Sequence, residues 1–254
     1  MVEGPYKDQK GNVPDNLYTI IVDPYYQDES DSSPSLGSFY VYKHVNTVSE
    51  SADDMIVGWY SGRPKTLDKF YRILFNTAQF YNAMIQSEIA GGGQGIIDYA
   101  RNHRLLKYCE KEPDILTTKE QAAKSFNKPY FMKMSGDRPK LATIYLADWL
   151  VKERNVQKDV NGEEVTILNL HKFYDEAGLK ELIKYNDLGN FDRVSSLRLL
   201  PFMIKEKVNQ QVTAAQERSS FWNRNFHSDE VHYNEQNMLP ANELVMQEDR
   251  SSDY

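Results

Sequence analysis

The heptapeptide YTIIVDP, Tyr18 to Pro24, decides the reading of the fold. With Leu17 before it, it is a short apolar, β-branched run halted by an acid and a proline, the pattern of a buried strand ending at Asp23. Two further aromatic and β-branched segments follow, LGSFYVYKHV from Leu36 and MIVGWYSG from Met55, and these predict two more strands, antiparallel to their neighbours. In LDKFYRILFNTAQFYN, residues Leu67, Phe70, Tyr71, Leu74 and Ala78 recur at helical spacing, with Thr66 as the N-cap. AMIQSE, Ala83 to Glu88, is a fourth short apolar run ending in an acid; AGGGQG then turns the chain into the helical pattern IIDYARNHRLLKY. Three strands, a helix, a strand, a glycine turn and a helix predict a mixed α/β sheet flanked by helices.

Further along, residues 108–138 are polar and irregular and predict a long surface loop. RPKLATIYLADWLVKER reads as an amphipathic helix with Pro139 in its first turn. Asn161-Gly162 lies between alternating runs and predicts a hairpin with a type I′ turn. HKFYDEAGLKELIKYN and FDRVSSLRLLPFMIKEKVNQQ are helical, the second bent or interrupted near Pro201. The division expected is a polar leader over 1–16, a mixed α/β domain over 17–226 with an inserted hairpin, and a flexible acidic tail over 227–254.

The chain has 254 residues, 40% apolar and 26% charged, enough for a real core. No apolar run approaches the ~18 residues of a membrane span, and the N-terminal stretch has no signal core. The single cysteine, Cys109, forms no internal disulfide or thiolate cage and reads as ordinary packing in a reducing compartment. The net charge of −7 is concentrated at one end: residues 227–254 hold seven acids against Arg250, leaving −1 for residues 1–226. A nearly neutral body can carry a basic groove beside an acidic site, so the total decides neither for nor against DNA.

Three carboxylates share a context. Asp23 ends one strand, Glu88 ends another, and Asp192 opens a helix just after Asn190. Strand ends and helix starts aim side chains into the same kind of cleft. If the first and fourth strands are parallel neighbours, Asp23 and Glu88 sit side by side, and crowded carboxylates raise a pKa or recruit hard divalent cations such as Mg²⁺ or Mn²⁺. Two ions about 3.5–4 Å apart serve phosphodiester hydrolysis. Any one such acid is more often a solvated turn former, so spacing leaves both readings open.

YTIIVDP, IVGWYSGRPKTLDKF, YNAMIQSEIAGGGQGIIDY and ELIKYNDLGNFDRVSSLRL, in that order, resemble the C-terminal nuclease domain of the large terminase subunit of tailed bacteriophages, the motor-nuclease that packages viral DNA. The resemblance runs from Tyr18 to about Leu200. It implies a ribonuclease-H-like fold and an endonuclease cutting concatemeric double-stranded DNA. It carries the family's metal-binding acids onto Asp23, Glu88 and Asp192, with one or two Mg²⁺ or Mn²⁺ ions and a metal-activated water as nucleophile. Asp28 and Glu29 are candidates for a further acid. It also implies portal and small-terminase partners for the full-length protein, and the host cytoplasm during virion assembly as its place of action. The family's ATPase domain is not represented: the chain has no Gly-Lys dipeptide and so no GxxxxGK[ST] loop, which fits a region beginning in the linker before the nuclease.

Lys124, Lys128, Lys133, Arg138 and Lys140 form a basic cluster that either neutralises DNA phosphates or is a solvated loop. Arg63, Lys65 and Arg193 lie in matched blocks, and Arg193 either contacts a phosphate or bridges helices. The hairpin corresponds to a terminase insertion near the cleft, yet Lys158 against Asp159, Glu163 and Glu164 offers no basic surface. His227 and His232 lack a zinc-ligand spacing, and GGGQG lacks the dinucleotide spacing. The 17 tyrosines could stack on bases but alternate along strands as packing residues do. Rival readings are a junction resolvase or integrase-like nuclease of the same fold, and a non-catalytic docking module of the packaging machine.

Overall fold

Alternation along the first strand sorts the core. Tyr18, Ile20 and Val22 project to one face of a sheet and Ile21 to the other, and each face is buried under its own layer of helices. These relations come from a computed structural model that describes residues 1–25, 35–45, 53–117, 128–158, 160, 162–186 and 189–210. Residues Met1–Val208 form one unit; of a second, Asn209–Tyr254, only residues 209 and 210 are described. The acidic tail, Asp28, Glu29 and Lys124 lie outside the described residues.

The central sheet contains β1 (Tyr18–Asp23), β2 (Gly37–Lys43), β3 (Met55–Gly62) and β4 (Met84–Ser87), in the order β3-β2-β1-β4. β1 pairs antiparallel with β2, β2 antiparallel with β3, and β1 parallel with β4. The parallel pair requires a crossover, supplied by α1 (Leu67–Tyr81), whose N-terminus is capped by Thr66 accepting from the Lys69 amide. This is the mixed sheet flanked by helices that the order of apolar runs predicts.

The first face packs on α1 and α2 (Gln94–Asn102), with Phe70, Leu74, Phe75, Ile96 and Ala100 buried among the β1, β2 and β3 side chains. On the second face, Tyr40, Tyr42 and Ile56 meet α3 (Arg138–Leu150), Phe173, α5 (Asp192–Leu197) and helical residues 200–208. Between α3 and α5 lie a separate hairpin, β5 (Glu153–Lys158) with β6 (Glu164–Leu168), and α4 (Glu176–Lys184). The helix expected across Pro201 does break, at Arg198 and Leu199, where a proline would otherwise lack a donor and crowd the preceding turn. Among the described residues no helix is long and apolar enough to cross a membrane.

Three sequence expectations change. Residues 108–138 are not merely a surface loop: Cys109, Phe131 and Met132 are buried, and bridges join Ile85 to Cys109, Lys111 to Tyr130 and Glu88 to Met132. The outer edge of β4 carries backbone groups that need partners; Glu110 donates to the Ile85 carbonyl, and Met132 to that of Ser87. The hairpin strands stop at Lys158 and Glu164, so the connection is longer than a two-residue turn, although Gly162 does adopt φ 83°. Residues 1–16 have no strand or helix but are fastened to the body: Val2 and Glu3 amides donate to the Val57 carbonyl on the edge of β3, and Glu3 pairs with the buried Lys43 at 2.7 Å.

Candidate active site

Register brings two of the three acids together. In the parallel β1–β4 pair Val22 lies opposite Ser87, so one residue further on Asp23 and Glu88 leave adjacent strand ends on the same face as Ile21. Glu88 then enters a π-helical turn, Ile89–Gly93, rather than a plain loop. The glycines are steric requirements here: a Cβ on Gly93 would lie 2.0 Å from the Glu88 carbonyl oxygen, and one on Gly92 2.5 Å from Pro24 Cγ. The turn folds back tightly enough to touch both acid-bearing strand ends.

The third acid arrives from α5, which crosses the sheet above β1 and β2. Ser196 Oγ lies 3.5 Å from Ser38 Oγ, and Ser38 is the cross-strand partner of Asp23. One residue before it, Ser195 is close enough to Asp23 to draw its carboxyl down in pKa. Asp192, at the first turn, accepts from the Leu36 amide at 2.7 Å, the Ser35 hydroxyl at 3.2 Å and the Asn190 amide at 3.4 Å.

Electrostatics record the convergence. Burial, then the charges of Asp192 and Glu88, push the Asp23 carboxyl up to about 7, against the partial relief that Ser195 gives. Burial raises Asp192 as well, opposed by its Leu36 and Ser35 hydrogen bonds. Glu88 is raised by burial and drawn back by the Arg198 guanidinium. Asp23 therefore stands at the centre of an anionic site.

In donor type and charge these residues fit a hard divalent cation: three carboxylates, no thiolate or imidazole, and a mutual repulsion that a cation would relieve. They do not close into a ligand cage. Among the described residues no group of three or more His, Cys, Asp or Glu side chains stands within reach of one metal position. Asp192, which serves Ser35 and Leu36, is turned toward the start of β2.

The basic residues singled out in the sequence separate into two kinds. Arg193 pairs with Glu181 at 2.5 Å and Asp175 at 3.5 Å, bridging α4 and α5. Arg138 pairs with Glu112 at 2.7 Å and donates to the Leu116 and Lys133 carbonyls, and Lys128 pairs with Asp114. Lys133 and Lys140 are exposed. Sequence reasoning missed Ser35, Leu36, Ser195 and Arg198; only Ser195, one helical turn from Asp192, carried a local signal.

A second polar centre, not foreseen, anchors the hairpin. Asp54, 7% exposed and at φ 53°, accepts from Tyr42 and Lys152 at 2.5 Å each and from the Trp149 indole at 3.0 Å. Arg154 of β5 donates to the Asp53 and Asp54 carbonyls and to Asn169, whose amide reaches the Trp149 carbonyl. One buried carboxylate thus joins the start of β3, α3 and the base of the hairpin.

No protein-family model matches the chain, and no curated protein does. Among solved structures it is similar to the large terminase nuclease from thermophilic phage G20c with bound zinc, at 16% identity and a TM-score of 0.43, over 78% of this chain and 91% of that one. It is also similar to the same phage's nuclease with bound magnesium, at 14% identity and a TM-score of 0.37, over 74% and 82% of the two chains.

Proposed function

We propose that the protein is a divalent-metal-dependent endonuclease of the large-terminase kind, cutting concatemeric double-stranded DNA during genome packaging. The observation that carries the reading is the position of Asp23, half-buried at the mouth of a parallel strand pair and facing the charges of Asp192 and Glu88. Such crowding costs folding free energy and is expected where a site exists to hold cations. Asp23, Glu88 and Asp192 would hold Mg²⁺ or Mn²⁺, one or two ions. When bound, the cation supplies charge neutralisation at the phosphodiester and a water acidic enough to attack it at neutral pH.

The chain's own residues set the conditions. Asp23 must lose its proton for the cation to bind, so affinity rises as pH passes through about 7. Ser195 favours the ionised form of that carboxylate, while Leu36 and Ser35 orient Asp192. Among the basic residues, exposed Lys133 and Lys140 are assigned to phosphate contacts, with Lys124; Lys128, Arg138 and Arg193 are engaged in ion pairs that shape the cleft's surroundings. The same reading gives the full-length protein portal and small-terminase partners.

Asp23→Asn, which keeps the shape and removes the charge, is expected to reduce Mn²⁺-dependent plasmid cleavage to background while leaving the circular-dichroism spectrum unchanged. Undiminished cutting by the variant would end the metal reading. Running linear duplex beside four-way junctions separates a packaging nuclease, which cuts both, from a resolvase, which cuts only the branched substrate.

A further inference from the structure

Asp192 is held by groups that are themselves held. The Leu36 amide and the Ser35 hydroxyl that grip its carboxylate belong to the two residues just before β2. Their backbone is fixed from the facing strand. Arg63, the first residue after β3, donates from Nη1 to the Ser35 carbonyl at 2.6 Å. Gly37 pairs with Gly62 across the same strands, so this bond continues the ladder with a side chain where backbone pairing stops.

The guanidinium is oriented in turn. Its carbon lies 4.9 Å from the centroid of the Tyr25 ring, over the face of a residue two positions beyond Asp23. The Tyr25 hydroxyl donates to the carbonyls of Pro64, at 2.9 Å, and Thr66, at 3.2 Å, the segment that carries Arg63 into α1. Tyr25 is 1% exposed, and its ring packs on Phe70 of α1. The chain segments after β1, before β2 and after β3 are thereby locked into one bracket around Asp192.

We propose that Arg63 is a positioning residue for the third acid, acting through Ser35 and Leu36, and that it serves cation binding rather than contact with DNA. The inference rests on the metal-dependent reading above and deepens it. A planar fork stacked on an aromatic ring and bonded to a carbonyl suits this task, whereas a phosphate contact needs the fork turned to solvent. Groups that orient metal ligands typically change affinity by about 10–100-fold when removed.

The test has two readouts besides cleavage. In the metal-free protein the Leu36 amide should be protected from hydrogen exchange by Asp192, and Arg63→Gln should accelerate its exchange by roughly 10-fold or more with the global unfolding midpoint little changed. Mn²⁺ affinity, measured by electron paramagnetic resonance without DNA, should fall by about 10-fold or more in the same variant. Duplex affinity, measured in EDTA, should stay at the unmodified level. Arg63→Lys, a milder change that keeps the charge but not the planar fork, should also weaken Mn²⁺ binding. Unchanged Leu36 exchange and Mn²⁺ affinity, or loss of EDTA-state duplex affinity in Arg63→Gln alone, would overturn the assignment. Should the unmodified protein itself bind no Mn²⁺ while Arg63→Gln still exposes Leu36, the metal reading fails and the bracket stands.

Discussion

Asp23 is a half-buried carboxylate and Asp54 a buried one, and their environments act with opposite signs. At Asp23 burial is reinforced by the charges of Asp192 and Glu88, and the carboxyl rises to about 7. At Asp54 burial also pushes upward, but hydrogen bonds from Lys152, Tyr42 and Trp149 outweigh it and leave the carboxyl lowered. The linkage follows. Between pH 3.8 and about 7 the folded protein holds the Asp23 proton and the unfolded chain does not, so this group's contribution to stability falls as pH rises through that window. Above it the ionised Asp23 costs folding free energy, each tenfold change in proton affinity being worth about 1.36 kcal/mol. In EDTA at pH 8, Asp23→Asn is expected to raise the unfolding free energy by roughly 1–3 kcal/mol, an advantage that vanishes below about pH 4. Urea titrations at the two pH values measure this, and equal stability at both would show that Asp23 is not in a repulsive pocket.

Between elements, similar polar contacts fix how the inserted hairpin is carried. β5 and β6 form their own two-stranded sheet with exposed side chains on much of both faces, so hydrophobic burial does little to orient it. Orientation falls to Asp54, which collects α3 through Trp149 and the hairpin root through Lys152, with Arg154 binding the backbone beside it. Asp54 sits in the left-handed region, which asparagine tolerates well, so Asp54→Asn tests the charge without backbone strain. Loss of a charged acceptor facing three donors is expected to lower stability by roughly 2 kcal/mol. Since this carboxyl is lowered in the fold, its support is present above pH 3.8 and is lost as pH falls below it. The difference between the unmodified protein and Asp54→Asn should therefore shrink on acidification, and a constant difference between about pH 3 and pH 7 would assign Asp54 a neutral role.

Across the whole molecule, residues 1–208 are a sheet between two cores, and the sheet's outer edge beside β4 is closed by chain that reads as polar loop. Cys109 lies in that closing segment, 3% exposed, with burial pushing its thiol up to about 12. Its bridge to Ile85 ties it to the central strands, so it becomes reactive only when the sheet edge opens. Labelling by a disulfide reagent is expected to be more than about 100-fold slower in native buffer than in urea, and to accelerate in step with global unfolding. Fast labelling of the native protein would mean that residues 109–111 detach independently of the core.

Much of this architecture was legible from residue order. The alternation in YTIIVDP, the helical spacing from Leu67 to Ala78, the Thr66 cap and the break at Pro201 are local properties, set by pleat, pitch and the chemistry of proline, and they recur in the structure. The pairing of Asp23 with Glu88 was also within reach, because a parallel neighbour after one helical crossover aligns two strand ends. Other features had no local signature. Cys109–Lys111 and Tyr130–Met132 join the sheet only because β4 leaves an edge to be satisfied, and Arg193, Arg138 and Lys128 look like phosphate ligands until distant acids claim them. Asp54 has no local signal in the sequence, since its partners Trp149 and Lys152 lie almost a hundred positions away. Burial and charge pairing are relations between residues remote in the chain, and only folding sets those distances.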